Sequence, residues 1–297
     1  MTPDTDISSQ TPAALRKPVE RIDAALGAYL DSQGLAPRLD DAVRYALLGG
    51  GKRVRPVLTW WSGVAAGGTG EATLPAGMAI ELVHAFSLVH DDLPAMDDDD
   101  LRRGRPTLHV RSGEAMAILA GDAMLALAFG ALRGAPGELR GALTDELLGG
   151  TNAMICGQID DTLGGLDGAL SDRAKLERIH RNKTGALIRA ACRMGGMLGG
   201  GAPGDIDRLT RYGEAIGLMF QIVDDLLDVE ACHTTTGKRT GKDAQAGKLT
   251  YPVVMGVEGA RAEVGRLGEE AREAISAFGA QGRALSDLAA YLERRGA

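Results

Sequence analysis

Hydrophobic positions recur three or four apart along most of the chain and seldom alternate with polar ones. Between Pro75 and Leu93, Met78, Leu82, Ala85 and Val89 fall on one stripe, the spacing of an amphipathic helix. A similar helix is predicted from about Asp205 to Val229. Glu114 to Arg133 is weakly charged, but Asp122 and several glycines interrupt it; it reads as a buried helix rather than a membrane span. Pro94 follows Asp91-Asp92-Leu93. Proline cannot continue a helix interior, so the first helix is expected to end or kink beside two carboxylates. No hairpin signal such as Asn-Gly stands between alternating runs, no internal repeat is visible, and no linker separates halves of different composition. The pattern predicts one all-α domain over residues 19–297, preceded by a polar tail, 1–18, expected to lie outside the fold.

One segment breaks the helical pattern. Between Glu230 and Lys248 there is no Ile, Leu, Val, Met or aromatic residue. Such a stretch cannot enter a core and is expected to be a surface loop. Lys238, Arg239, Lys242 and Lys248 give it the composition of a basic lid over an anionic ligand.

Composition narrows the options. Aromatics are 4% of the 297 residues, which together with few β-branched runs argues against an all-β fold. Lys and Arg total 33 against 40 Asp and Glu, so a nucleic-acid coat is not expected. Cys156, Cys192 and Cys232 lie far apart with no paired spacing, which argues against a disulfide frame and fits a reducing cytosol. Met1 to Pro18 has no basic start followed by an apolar core, so no secretory signal is read there. A cytoplasmic protein without stable membrane insertion is the expectation.

Two acidic clusters stand out. Asp91, Asp92 and Asp97 to Asp100 fall within ten positions. A solvated acidic patch is the usual meaning of such a run, but the first two carboxylates follow an apolar helix rather than a polar tail. At ~4 Å and an effective dielectric of ~20, each like-charged pair costs about 4 kcal/mol, and a hard divalent cation such as Mg²⁺ relieves that repulsion. The second cluster is Gln221, Asp224, Asp225 and Asp228, at helical offsets 0, 3, 4 and 7 and therefore on one face. Ile222, Val223, Leu226 and Leu227 surround it. Carboxylates on an otherwise apolar helix are costly unless they face a polar cavity, so the two clusters suggest two walls of one metal-lined pocket.

Anion binding must then be local. Gly49-Gly50-Gly51-Lys52-Arg53-Val54-Arg55-Pro56, Arg102-Arg103-Gly104-Arg105, and His180-Arg181-Asn182-Lys183-Thr184-Gly185 supply glycine-rich backbone, cations and a hydroxyl. Lys and forked guanidinium groups bind phosphate well. Nucleotide motifs are absent: no Gly-x-x-x-x-Gly-Lys-[Ser/Thr] occurs, and no strand pattern precedes Gly199-x-Gly201-x-x-Gly204, so its dinucleotide likeness is only formal.

At this point a family resemblance is visible. Asp91-Asp92-Leu93-Pro94-Ala95-Met96-Asp97, continuing through Asp100-Leu101-Arg102-Arg103-Gly104, resembles the first aspartate-rich motif of trans-isoprenyl diphosphate synthases, and Asp224-Asp225-Leu226-Leu227-Asp228 resembles the second. Gly51 to Pro56, Lys183-Thr184-Gly185, Phe220-Gln221 and Gly247 to Pro252 also stand where that family has its motifs. The Pro94-Ala95 insertion is most similar to bacterial farnesyl diphosphate synthases. One departure is Cys156 before Gln158, where the family usually has Gly; no effect on the chemistry is expected.

The resemblance implies an all-α helical bundle around a deep central cavity, the isoprenoid synthase type, usually as a homodimer. It implies a prenyltransferase that joins isopentenyl diphosphate to dimethylallyl or geranyl diphosphate by ionisation, condensation and elimination, giving farnesyl diphosphate. Asp91, Asp92 and Asp97, with Asp224, Asp225 and Asp228, would bind Mg²⁺, three ions per site with substrate present. Lys52, Arg55, His84 and Arg103 would hold isopentenyl diphosphate. Arg102, Lys183, Lys238 and Lys248 would hold the allylic diphosphate, with Lys183, Thr184 and Gln221 at the reacting carbon. Phe86 and Ser87 would set chain length: Phe86 lies five residues before Asp91, ~7.5 Å down the axis at ~1.5 Å per residue, where an aromatic resembles a floor. His90 has no comparable support and is read as structural. The alternatives are the same chemistry with a geranylgeranyl or geranyl product, and a non-catalytic subunit of a heteromeric synthase. A terpene cyclase fits poorly, because the second motif lacks that class's Asn/Asp-Asp-x-x-Ser/Thr-x-x-x-Glu pattern.

Overall fold

The computed structural model describes residues 13–234 and 249–295. Lys238, Arg239, Lys242 and Lys248, the cations of the expected basic lid, lie outside the described residues. The remainder is helical apart from one small hairpin: α1 (Ala13–Asp31), α2 (Pro37–Leu47), α3 (Val54–Ala65), α4 (Leu74–Asp91), β1 (Leu101–Arg102), β2 (Arg105–Pro106), α5 (Leu108–Ser112), α6 (Glu114–Ala131), α7 (Arg140–Thr162), α8 (Asp172–His180), α9 (Ala186–Leu198), α10 (Pro203–Thr234), α11 (Tyr251–Ile275) and α12 (Arg283–Arg295). The expected all-α fold is present. Helix α1 begins at Ala13 and includes Pro18, within the stretch that the sequence pattern assigned to the polar tail.

Helix α4 is the central element. Ala76, Ala79, Ile80, Leu82, Val83 and Val89 are buried on several sides of it, because α3, α6 and α9 pack around it. Its end falls where Pro94 requires: Asp91 is its last residue and Asp92 its C-cap. On the opposite side α10 packs most extensively against α11, and α9 joins α10 to α3. The low aromatic content has a counterpart in this packing. Helices α3 and α9 approach so closely that a Cβ on Gly195 would stand 2.9 Å from Ser62 Cβ; small residues replace bulky ones at such crossings.

Two expectations need adjustment. The hairpin β1–β2, pairing Leu101 with Pro106 and Arg102 with Arg105, was not signalled. Its turn, Arg103-Gly104, has positive φ at both positions (54° and 73°), as a two-residue hairpin requires, but Arg-Gly is a weaker cue than Asn-Gly and the strands are too short to alternate. Helix α6 is helical as expected yet not wholly buried: Ile118 and Leu119 are exposed on one face. Two segments, Glu71–Asp91 and Glu114–Gly134, are long and apolar enough to cross a bilayer by composition. The first is mostly enclosed by protein, as the core position of α4 explains.

Candidate active site

The second half of α4 with the segment after it, Arg55 of α3, the last third of α7 and the turn after α8 line a cavity of about 480 Å³. Its lining includes the polar side chains Asp91, Arg55, His84, Lys183 and Thr184 together with Phe86, Ser87, Met154, Ile155 and Ile159. A smaller cavity of about 100 Å³ adjoins on the other side of Lys183, lined by Asp161, His180, Gln221 and Asp225.

On the α4 side, the acidic segment folds back on the helix end. Asp97 N donates to Asp91 O (2.8 Å) and Asp98 N to Leu93 O (3.2 Å). Asp92 is buried, and Arg102 from β1 grips it with Nε at 2.8 and 3.0 Å from its two oxygens and Nη2 at 2.7 Å. Arg102 is thus paired with a carboxylate of the row it was expected to flank. Burial pushes Asp91 up to about 6, despite Lys183 nearby.

The basic segment before α3 divides its cations. Arg53 turns inward with φ 49°, donating to Asp23 Oδ1, Glu81 Oε1 and Leu47 O, each at 2.7 Å; it anchors the segment and leaves Arg55 at the cavity. Arg55 Nη1 lies 3.1 Å from His84 Nε2. A guanidinium can only donate, so His84 accepts at Nε2, and burial beside Arg55 pushes its pKa well down, keeping it neutral. Arg103 donates to Gly50 O, and Arg105 to Gly49 O (3.0 Å) while its guanidinium covers Tyr45. The hairpin and the glycine-rich segment therefore form one basic rim. Lys52 is exposed on it.

The opposite wall begins at a π-helical turn, Arg181–Gly185. The extra residue per turn presents Lys183 and Thr184 together to the cavity, and such turns are frequent at functional sites. Lys183 Nζ donates to Asp161 Oδ2 (2.6 Å), and Thr184 Oγ1 to Gln221 Oε1 on α10 (2.6 Å). Burial pushes Asp224 up to about 6, opposed by Arg295 and Lys52. Arg55, which lines the cavity with Asp91, also feels the charge of Asp224. The carboxylates of the two rows are not equivalent. Asp225 is buried and accepts Tyr251 N (2.9 Å), whereas Asp97 and Asp228 are exposed. Among the described residues no three His, Cys, Asp or Glu side chains converge as a ready-made metal site.

Phe86 lines the cavity with its ring edge-on to His90, centroids 5.8 Å apart. Cys156 is exposed, away from the close packing at its neighbour Gly157, where a Cβ would stand 2.7 Å from Lys183 Cα. Sequence reasoning missed Asp161, Glu81 and Gly157. Asp160-Asp161 was a legible acidic pair ending α7; nothing local marked the other two.

The cavity combines apolar side chains with one carboxylate, Asp91, one guanidinium, Arg55, and one ammonium, Lys183. The chain belongs to the polyprenyl synthetase family, whose model matches residues 36–278, and is a prenyltransferase of that family. It is 42% identical over 285 residues to geranylgeranyl pyrophosphate synthase 11, chloroplastic, of Arabidopsis thaliana, covering 93% of this chain and 80% of the relative. Among solved structures, a geranyltransferase from Legionella pneumophila aligns with TM-score 0.83 and 32% identity, over 95% of this chain and 96% of that one. An FPP/GFPP synthase from Zymomonas mobilis aligns with TM-score 0.82 and 35% identity, over 94% and 97%.

Proposed function

We propose that this chain condenses isopentenyl diphosphate with an allylic diphosphate into an all-trans prenyl diphosphate. The observation that carries the proposal is the 480 Å³ cavity, lined by Asp91, Arg55 and Lys183 and otherwise by mostly apolar side chains. Lys52, Arg55, His84 and Arg103 hold the isopentenyl diphosphate. Arg102, Lys183, Lys238 and Lys248 hold the allylic diphosphate. The donor set suits Mg²⁺: hard carboxylate oxygens from Asp91, Asp92 and Asp97 on one wall and Asp224, Asp225 and Asp228 on the other. These carboxylates would hold the ions beside a bound diphosphate, three per site being the expectation.

Ionisation comes first. The allylic C–O bond breaks, and negative charge develops on the diphosphate. Bound Mg²⁺ supplies neutralisation of that charge. Lys183 and Arg102 add fixed positive charge at the same place. The Thr184 hydroxyl donates to Gln221, which leaves its oxygen lone pairs for the allylic cation, a neutral dipole that stabilises without capturing it. The π bond of isopentenyl diphosphate then attacks, and the proton lost passes to the departing diphosphate. Apolar walls keep water from trapping the cation.

The names of the sequence relatives favour a twenty-carbon product, geranylgeranyl diphosphate, over the farnesyl expectation. One observation favours fifteen carbons: Phe86, braced by His90, lies on the cavity wall, with its α-carbon five positions before Asp91 in α4. Product chromatography from isopentenyl and geranyl diphosphates decides between them. With Phe86 as the floor, Phe86→Ala lengthens the product; unchanged chain length in that variant removes the floor. Absence of turnover by the purified chain with Mg²⁺ would refute the enzyme reading. The exposed apolar face of α6, with Ile118 and Leu119, supports the expected homodimer.

A further inference from the structure

His180 belongs to a basic segment singled out in the sequence, yet the reaction above does not use it. It ends α8 and is buried, 7% exposed. Its Nε2 has no hydrogen-bond partner, an uncommon state for a buried polar atom and one that calls for a cause. The ring stacks on Tyr251, with centroids 5.7 Å apart and planes 16° from parallel. Stacking fixes the imidazole plane so that Nε2 lies 3.5 Å from Asp225 Oδ2. The same oxygen accepts the backbone N–H of Tyr251, the first residue of α11, at 2.9 Å. Tyr251 therefore acts twice, by its ring on His180 and by its amide on Asp225.

These contacts converge on one oxygen of Asp225. The carboxylate borders the smaller cavity together with Lys183, Asp161 and Gln221. An oxygen engaged from two directions cannot rotate freely, and rotation of one oxygen is rotation of both. The 3.5 Å separation is longer than a good N–H···O bond, but such contacts in ligand-free sites commonly tighten when the site fills.

We propose that His180 is a positioning residue for the second aspartate row: clamped on Tyr251, it holds Asp225 Oδ2 and so fixes the orientation in which Oδ1 meets the cations of a bound diphosphate. The assignment rests on the functional reading above and deepens it. The geometry requires the proton on Nε2. Outer partners of this kind orient ligating groups in metal sites generally.

The test uses the whole chain and inorganic diphosphate. His180→Phe keeps an aromatic ring on Tyr251 and removes the nitrogen; His180→Gln returns a nitrogen donor near the Nε2 position. Calorimetric binding of inorganic diphosphate in Mg²⁺ is expected to weaken about tenfold in His180→Phe and to recover to within about threefold of the parent in His180→Gln. The concentration of Mg²⁺ giving half-maximal turnover rises in parallel, while KM for isopentenyl diphosphate stays unchanged. Parent-like binding by His180→Phe overturns the proposal. So does equal loss in both variants, which would mark His180 as merely structural. A parent chain that binds Mg²⁺-diphosphate but turns over no prenyl substrate sinks the functional reading instead, and leaves the binding comparison to judge His180.

Discussion

Gly157 offers a sharp test of how the π turn is held. It sits in α7 against the backbone that carries Lys183. A Cβ there would stand 2.7 Å from Lys183 Cα and 2.8 Å from Asn182 C, whereas carbon atoms pack at about 3.5–4.0 Å. Gly157→Ala must therefore move the turn by about 1 Å, counting the shortfall from ordinary contact. Overpacking of this kind costs about 1–3 kcal/mol, and Ala gains back about 1 kcal/mol of helix propensity. The net loss, about 0–2 kcal/mol, leaves a folded protein whose Tm falls by a few degrees, at about 2–4 °C per kcal/mol. Activity should suffer far more, since a 1 Å misplacement of a reacting group can cost about a hundredfold in rate. Steady-state kinetics should show kcat down by about two orders of magnitude on that argument, with KM for isopentenyl diphosphate little changed, because Arg55 and His84 stand on other helices. Gly149→Ala is the control: it lies in the same helix with open space at its Cβ position, and should keep full activity. Native kcat in Gly157→Ala, or a loss no larger than its unfolded fraction, would refute the reasoning.

Two further outcomes follow from buried charge. Asp91 and Asp224 are both pushed up to about 6 by burial, from an ordinary value of 3.8. The folded protein then binds more protons than the unfolded chain between those values, so stability falls as pH rises from about 4 through 6, by about 3 kcal/mol per group at most. In EDTA, Asp91→Asn should be more stable to urea than the parent at pH 7 but not at pH 4, and equal stability at both would refute the burial argument. Arg53→Leu would leave Glu81 buried without its partner, a loss of about 3–5 kcal/mol in urea unfolding. The double change Arg53→Leu with Glu81→Leu should recover part of it, and no recovery would show that packing of Arg53, not its charge, carries the stability.

Much of the site is legible in the order of residues along the chain. Pro94 marks the end of α4 beside Asp91 and Asp92, and the offsets of Gln221, Asp224, Asp225 and Asp228 mark a polar face on α10. Both are local facts: a ring without an N–H stops a helix, and a 3.6-residue period sorts side chains onto faces. Periodicity does not tell the four members of that face apart. In the fold Gln221 meets Thr184, Asp225 accepts from Tyr251 N, and Asp224 feels the positive charge of Arg295 and Lys52. These groups come from other parts of the chain, so no count along α10 could have assigned them.

Helical class, the two carboxylate rows and the supply of cations were thus determined by sequence alone, because propensity, period and charge are carried by neighbouring residues. Which cation serves what was decided only by tertiary structure. Arg53 and Arg55 are two positions apart, yet one locks α1 to α4 through Asp23 and Glu81 and the other reaches His84 at the cavity. The pairing of Lys183 with Asp161 and the closeness of Gly157 to the π turn likewise depend on how helices cross. Those crossings are set by the packing of distant side chains, which a linear pattern does not contain.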